Sequence, residues 1–178
     1  MVRFTAKLLR PAATARTGAW TFLILPKEAS AQLPSRGMTT VEGTLNGCPF
    51  RATLAPDGQQ SHWLKVDGKL RAAAGAEAGD VVTLEIAPVG VEPEPRVPTE
   101  WRKALAAADP KARALWPAIT PVARRDWIHW MTSARQAETR ARRIAQACEM
   151  LAAGKRRPCC FDRSGFYSKS FRAPEAAG

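Results

Sequence analysis

The side chains able to do chemistry are few, and they are scattered. Two histidines stand at positions 62 and 129, and four cysteines at 48, 148, 159 and 160. His129 lies between Ile128 and Trp130 with no cysteine or acid at helical spacing to complete a metal pair, and no HExxH occurs. His62 alternates with Leu64 and Val66, so on an extended strand it shares their inward side, where a histidine serves as a packed core residue. Trp63 falls on the outward side with Ser61 and Lys65 and is the aromatic best placed to meet a ligand. Any pocket would have to draw on His62, Trp63 and His129. Cys48 and Cys148 read as small buried hydrophobes. Cys159 and Cys160 form an exposed pair that would be reactive only if Arg156 and Arg157 depressed a thiol pKa. Zinc and disulfide spacings are absent, as are GxSxG, Walker and GxGxxG loops. "GTLNG" and "AGAEAG" are glycine turns without the strand-to-helix context of a phosphate loop. Nucleophile, base and orienting group are not brought together by any visible pattern, so the chain reads as a non-enzymatic protein with no cofactor and no metal.

What the sequence has in quantity is positive charge. The net charge is +11, with ten Lys/Arg against seven Asp/Glu in the first 90 residues and seventeen against nine in the remainder. Such a surplus suits an anionic partner: an acidic protein face, lipid headgroups or nucleic acid. The densest stretch is "ARQAETRARRIA" at 134–145. On one helical wheel Trp127, Trp130, Ala134, Ala137, Ala141, Ile144, Ala145, Cys148 and Leu151 form an apolar stripe, and the arginines lie off it. Glu138 sits between Arg135 and Arg142, while Gln136, Arg140 and Arg143 form a flank without acids. Arg135, Arg140, Arg142 and Arg143, extended by Lys155, Arg156 and Arg157, are therefore the candidate partner-binding residues.

The elements that must position these residues fall into an α+β order. Residues 3–9 and 61–66 alternate in polarity, and 19–25 is apolar on both sides, as a central strand would be. "TTVEGTL" and "CPFRATL" flank Asn46-Gly47, a dipeptide suited to a type I′ hairpin turn. A further strand follows at 81–86. Short strands with turns between them predict a small β-barrel over 1–87. "PVGVEPEPRVP" predicts an extended linker at 88–98. Residues 99–154 predict three to four helices, with Thr99, Asp109 and Thr120 as N-caps and Gly154 as the terminating residue; 121–153 allows one long helix or two. A basic, disordered tail is expected at 155–178.

At "WIHWMTSARQAETRARRIAQACEMLAAGK" the chain resembles the YdeI/OmpD-associated, or bacteriocin-protection (OmdA-like), family. The motif residues are Trp127, Ile128, Ala134-Arg135, Glu138-Thr139-Arg140, Arg143-Ile144, Leu151 and Gly154, and "VPTEWRKALAAADPKARALWPAITP" also matches. Through "FLILP", "VEGTLNGCPFRATLAPDG", "HWLKVDGKLRAAAG" and "GDVVTLEI" the first half resembles the DUF1905 type of domain of unknown function. That resemblance implies a double-split-barrel-like fold. The second implies a role in resistance to envelope and antimicrobial-peptide stress, with no established reaction. Members of the family often carry a proline near position 137, where this chain has alanine.

The functional expectation is a cytoplasmic bacterial protein that protects against stress by binding an anionic partner. A nucleic-acid-binding regulator using barrel and basic helix is the alternative, and an enzyme with a pocket at the barrel–helix junction is the third reading. The longest apolar run, Trp20–Pro26, is too short to span a bilayer, and no signal peptide is evident.

Overall fold

The computed structural model describes residues 1–12, 20–158, 161–166 and 171–177. Cys159 and Cys160 lie outside the described residues. The chain divides into two compact units: residues 1–91 together with 162–178, and residues 92–161.

Unit 1 is an antiparallel six-stranded sheet. Its strands are β1 (Val2–Lys7), β2 (Trp20–Ile24), β3 (Thr39–Leu45), β4 (Cys48–Pro56), β5 (His62–Asp67) and β6 (Val81–Pro88), in the order β1-β6-β3-β4-β5-β2. The sheet curls until its ends meet: just past β1, Leu9 exchanges two backbone hydrogen bonds with Phe22 of β2, at 2.7 and 2.9 Å. Period-two alternation then sends Val41, Leu45, Leu54, Leu64, Val66, Val82, Leu84 and Ile86 into one core, all essentially inaccessible to water. Each such side chain contributes about 1.5–3 kcal/mol on burial.

The hairpin turns where the Asn-Gly dipeptide requires. Asn46 (φ 48°) and Gly47 (φ 81°) both take the positive φ of a type I′ turn, and Asn46 is tied to Thr83 of β6 through its backbone N–H and its side-chain oxygen. One expectation changes. β2 is not a central strand but lies at the end of the hydrogen-bonded order. Its two-sided burial arises because Leu23 enters the core while Phe22 packs between Trp20 and Trp63, at 6.4 and 6.2 Å. Gly43 keeps the strand position that "TTVEGTL" assigns it. It sits within β3, facing Phe50 on one side and Ile86 on the other, where the backbone of β6 comes too close for any side chain. Two short helices, α1 (Lys27–Ala31) and α2 (Gly68–Ala73), flank the strands; Asp67 caps α2 by accepting from the Leu70 N–H at 2.8 Å.

Unit 2 holds α3 (Thr99–Ala106), α4 (Pro110–Ala118), α5 (Pro121–Thr132) and α6 (Ala137–Ala152). Asp109 and Thr120 cap as expected, accepting from Lys111 and Ala123 N–H groups, with proline at the first helical position in each case. Thr99 instead begins α3 and makes no side-chain cap. Gly154 (φ 87°) ends α6 in a Schellman arrangement: its N–H reaches the Leu151 carbonyl, and that of Lys155 reaches Met150. α4 runs one residue past Pro117. The core gathers Trp101, Ala112, Trp116, Trp127, Met131, Ala147 and Leu151. Trp101 and Trp116 pack edge-to-face at 5.2 Å.

Residues 121–153 form two helices, and the break at 133–136 resets the helical phase. The apolar stripe drawn on a single wheel therefore holds only in part beyond it, at Ile144, Cys148 and Leu151. Ala137, Ala141 and Ala145 face solvent, and the buried face of α6 is carried by Ala147 and Leu151 with Ile144 and Cys148 alongside.

The proline-rich stretch is pinned from Glu92 onward: Glu92 pairs with Arg125 at 2.9 Å, and Glu94 pairs with Arg124 of α5. The residues expected to form a disordered tail are also engaged. Arg157 pairs with buried Asp126, and the Trp127 indole N–H donates to the Arg156 carbonyl at 3.0 Å. The described residues from Asp162 onward group with unit 1.

Candidate functional site

The seven basic candidates divide into two groups. Arg140 donates to the carbonyls of Ala134 and Arg135, at 3.2 and 3.4 Å, and so closes the turn between α5 and α6. Arg143 donates to the Trp130 carbonyl at 2.8 Å and lies over the Trp130 ring, 5.5 Å from its centroid. The last turn of a helix presents orphan carbonyls and a partial negative charge, so an arginine fork is a natural complement there. Arg157 faces Asp126, whose side chain is 1% exposed. These three cations serve the fold of unit 2. Arg135, Arg142, Lys155 and Arg156 are exposed, and among the described residues their side chains have no partner.

Of the motif residues, Trp127 is fully buried, Ile128 and Ile144 pack against the core, Thr139 is half-buried, and Glu138 is exposed in the first turn of α6. A carboxylate there complements the positive end of the helix. Arg142 follows Glu138 by four residues, so the exposed side of α6 carries acid as well as base.

His62 is 2% exposed and sits in a chain of hydrogen bonds within unit 1. Its Nε2 lies 2.9 Å from the Gly37 carbonyl, which can only accept, so Nε2 carries the proton. Nδ1 then accepts from the Ser30 hydroxyl at 2.7 Å. This links β5, α1 and the loop before β3. Spacing offered no signal for Ser30, which is 32 residues away. A cleft of about 90 Å³ adjoins the pair, lined among others by Ser35, Arg36, Gln60 and Ser164. Burial pushes the His62 pKa below its usual 6.5, against smaller opposing effects of the Gly37 hydrogen bond and nearby Asp57. The unfolded chain therefore takes up a proton first as pH falls. Stability from this site is complete above pH 6.5 and declines toward lower pH until the folded histidine protonates. The urea midpoint of unit 1 should fall between pH 7 and 5.5, and the slope should flatten in His62→Gln; an unchanged slope in that variant would assign the effect elsewhere.

Trp63 is half-buried against Phe22, and His129, in unit 2, packs 6.2 Å from the Phe161 ring. Cys48 and Cys148 are half-buried rather than fully buried; the Cys48 thiol donates to the Ala73 carbonyl at 2.9 Å, and burial raises the Cys148 thiol pKa. Among the described residues no group of three His, Cys, Asp or Glu side chains could hold a metal, and no helix is long and apolar enough to cross a membrane.

The polar contacts that sequence reasoning missed are those of Arg124. Its Nε donates to Glu94 Oε2 at 3.1 Å and its Nη2 to Oε1, while Nη1 reaches the carbonyls of Trp116 and Pro117, both at 3.2 Å, and of Ile119. One buried guanidinium thus caps the end of α4 and fastens the proline-rich strand. Two acids two residues apart in an extended segment, with an adjacent basic pair in a helix, were the available clue.

Comparison with known proteins adds two matches. Residues 4–86 match the model of a domain of unknown function, DUF1905. Residues 94–154 match the model described as bacteriocin-protection, YdeI or OmpD-associated. A search of curated proteins finds no match to the chain. The arrangement implied by the resemblance of the sequence is therefore the observed one: the chain joins an amino-terminal DUF1905 domain to a YdeI/OmpD-associated, bacteriocin-protection domain.

Proposed function

We propose that the chain is a non-enzymatic cytoplasmic protein that protects against bacteriocin or antimicrobial-peptide stress by binding an anionic partner through unit 2. The supporting observation is the set of exposed cations whose side chains have no partner among the described residues: Arg135, Arg142, Lys155 and Arg156. Arg135 precedes α6, Arg142 lies within it, and Lys155 and Arg156 follow it. A 16-residue helix spans roughly 24 Å at about 1.5 Å per residue. That spread suits an extended anionic face better than a single small anion.

Binding of the full chain to anionic vesicles, duplex DNA and an acidic polypeptide, followed against salt, tests the reading. At least one should bind at low ionic strength and weaken steeply as salt rises. Replacing Arg135, Arg142, Lys155 and Arg156 together by glutamine should abolish that binding and leave stability almost unchanged. Arg140→Gln should do the reverse and cost about 1–2 kcal/mol through the lost turn closure. Absence of binding to all three at low salt would sink the proposal, and retention of DNA alone would favour nucleic acid as the partner.

A further inference from the structure

Residues 171–177 lie beyond the segments matched by either domain model, yet they are laid along unit 1 as a ligand would be. Pro11 and Ala176 form an antiparallel bridge flanked by two hydrogen bonds, Ala12 N–H to the Glu175 carbonyl at 2.8 Å and Ala177 N–H to the Arg10 carbonyl at 2.7 Å. The register places Pro11 where no N–H is needed, so its missing donor costs nothing. Further back, the Ala173 N–H donates to the Asp57 carbonyl at 3.2 Å. Phe171 is 5% exposed, although its neighbours Arg172, Glu175, Ala176 and Ala177 face water.

The receiving surface is shaped for this segment. Gly58 holds φ at +79°, and a Cβ there would stand 2.5 Å from the Phe171 carbonyl oxygen; a Cβ at Gly165 (φ +73°) would stand 2.5 Å from the Phe171 Cβ, so two glycines close on the anchor's backbone and side chain. Arg10–Ala12 and Asp57–Gly58 all fall inside the matched DUF1905 region, whereas the occupant does not. The contact set is main-chain pairing plus one aromatic anchor, as in strand-addition complexes, where the backbone supplies affinity and a pocket supplies selectivity. It is also sparse: one bridge, against the seven paired positions of β3 and β4.

We propose that unit 1 carries a docking site for an extended peptide, formed by the strand edge at Arg10–Ala12 and the close approach of Gly58 and Gly165 to Phe171, and that residues 171–177 are its resident, exchangeable occupant. The ligand class is a peptide with a phenylalanine anchor followed by small residues at the strand-paired positions. Because the tail is tethered, its effective concentration keeps the site filled, and a free peptide enters only when the tail is displaced. This site is independent of the cations of unit 2.

The test uses a fluorescein-labelled peptide of residues 171–177, FRAPEAA, with full-length wild type and full-length Phe171→Asp. The variant should bind the peptide at least about tenfold more tightly than wild type, since its own tail no longer competes. The same peptide with alanine in place of phenylalanine should lose at least tenfold. Equal binding to both proteins, or none to a folded variant, overturns the proposal. Hydrogen exchange on wild type provides a second reading should the variant not fold. The Ala12, Ala173 and Ala177 amides should exchange at least tenfold more slowly than in a free peptide, yet faster than those of β3. Exchange at the free-peptide rate overturns the proposal equally.

Discussion

Replacing Arg124 by methionine is expected to destabilise unit 2 by about 2–4 kcal/mol, the range for orphaning buried acceptors of a satisfied network. The aliphatic part of the side chain is retained, so lost packing is a minor contribution. What disappears is the donor set for three carbonyls at the end of α4 and both oxygens of Glu94. The Arg124 side chain is 9% exposed and that of Glu94 66%, so the carboxylate can rehydrate while the carbonyls cannot. Glu94→Gln should therefore cost less than about 1 kcal/mol, as solvent-screened pairs do. Arg124→Lys should restore well under half of the loss, because one ammonium cannot reach a carboxylate and a helix end in divergent directions. Thermal unfolding followed by tryptophan fluorescence checks the series. Equal stability of the lysine variant and wild type would show that charge alone, and not the planar fork, holds this corner.

Gly43→Ala is the second large effect. A Cβ at position 43 would lie 1.8 Å from the Glu85 carbonyl oxygen and 2.8 Å from its carbon, both backbone atoms of β6. No rotamer relieves that contact, so β3 and β6 must separate where Gly43 faces Ile86 and Thr44 faces Glu85. The expected cost is about 3 kcal/mol or more, at the upper end of overpacking. Gly47→Ala is the informative comparison. Nothing lies within 4 Å of its added Cβ, and only the φ of +81° opposes it, so the expected cost is roughly 1–2 kcal/mol. Urea denaturation of both variants separates crowding from backbone preference. A Gly43→Ala protein as stable as wild type would require the two strands to lie farther apart than they do.

The same pair of glycines shows which parts of the fold were legible in the sequence. Gly47 follows asparagine between two alternating runs, and that local grammar specifies the turn it makes. Gly43 is set by a strand some forty residues downstream, which local pattern does not carry. The helix caps at Asp109 and Thr120 and the stop at Gly154 were readable for the same reason as Gly47: their partners lie within four residues. The break between α5 and α6 was one of two readings left open, because Ala137, where similar chains often carry proline, suits a continuing helix, and the carbonyl-binding arginines that close the turn act only once it has formed. For the candidate site, charge showed which residues were cationic and offered no information on which were committed. Arg140, Arg143 and Arg157 look like Arg135 and Arg142 in sequence and differ only in the carbonyls and carboxylate that reach them. Ser30 and His62 illustrate the limit most plainly, since each is unremarkable alone and they meet only through the fold.

The chain leaves unit 1 after Val91 and re-enters it at Asp162, so unit 2 is spliced into its neighbour and does not simply follow it. Two covalent crossings join the units in place of one. A protease that nicks the proline-rich crossing unties the tail from its site, so the amino-terminal fragment is then held only by Phe171 and the Pro11–Ala176 bridge, and the pieces should part on dilution. Loss of one peptide bond at that crossing would thus convert an intramolecular grip into a bimolecular one, and native sizing at falling concentration would read its strength directly.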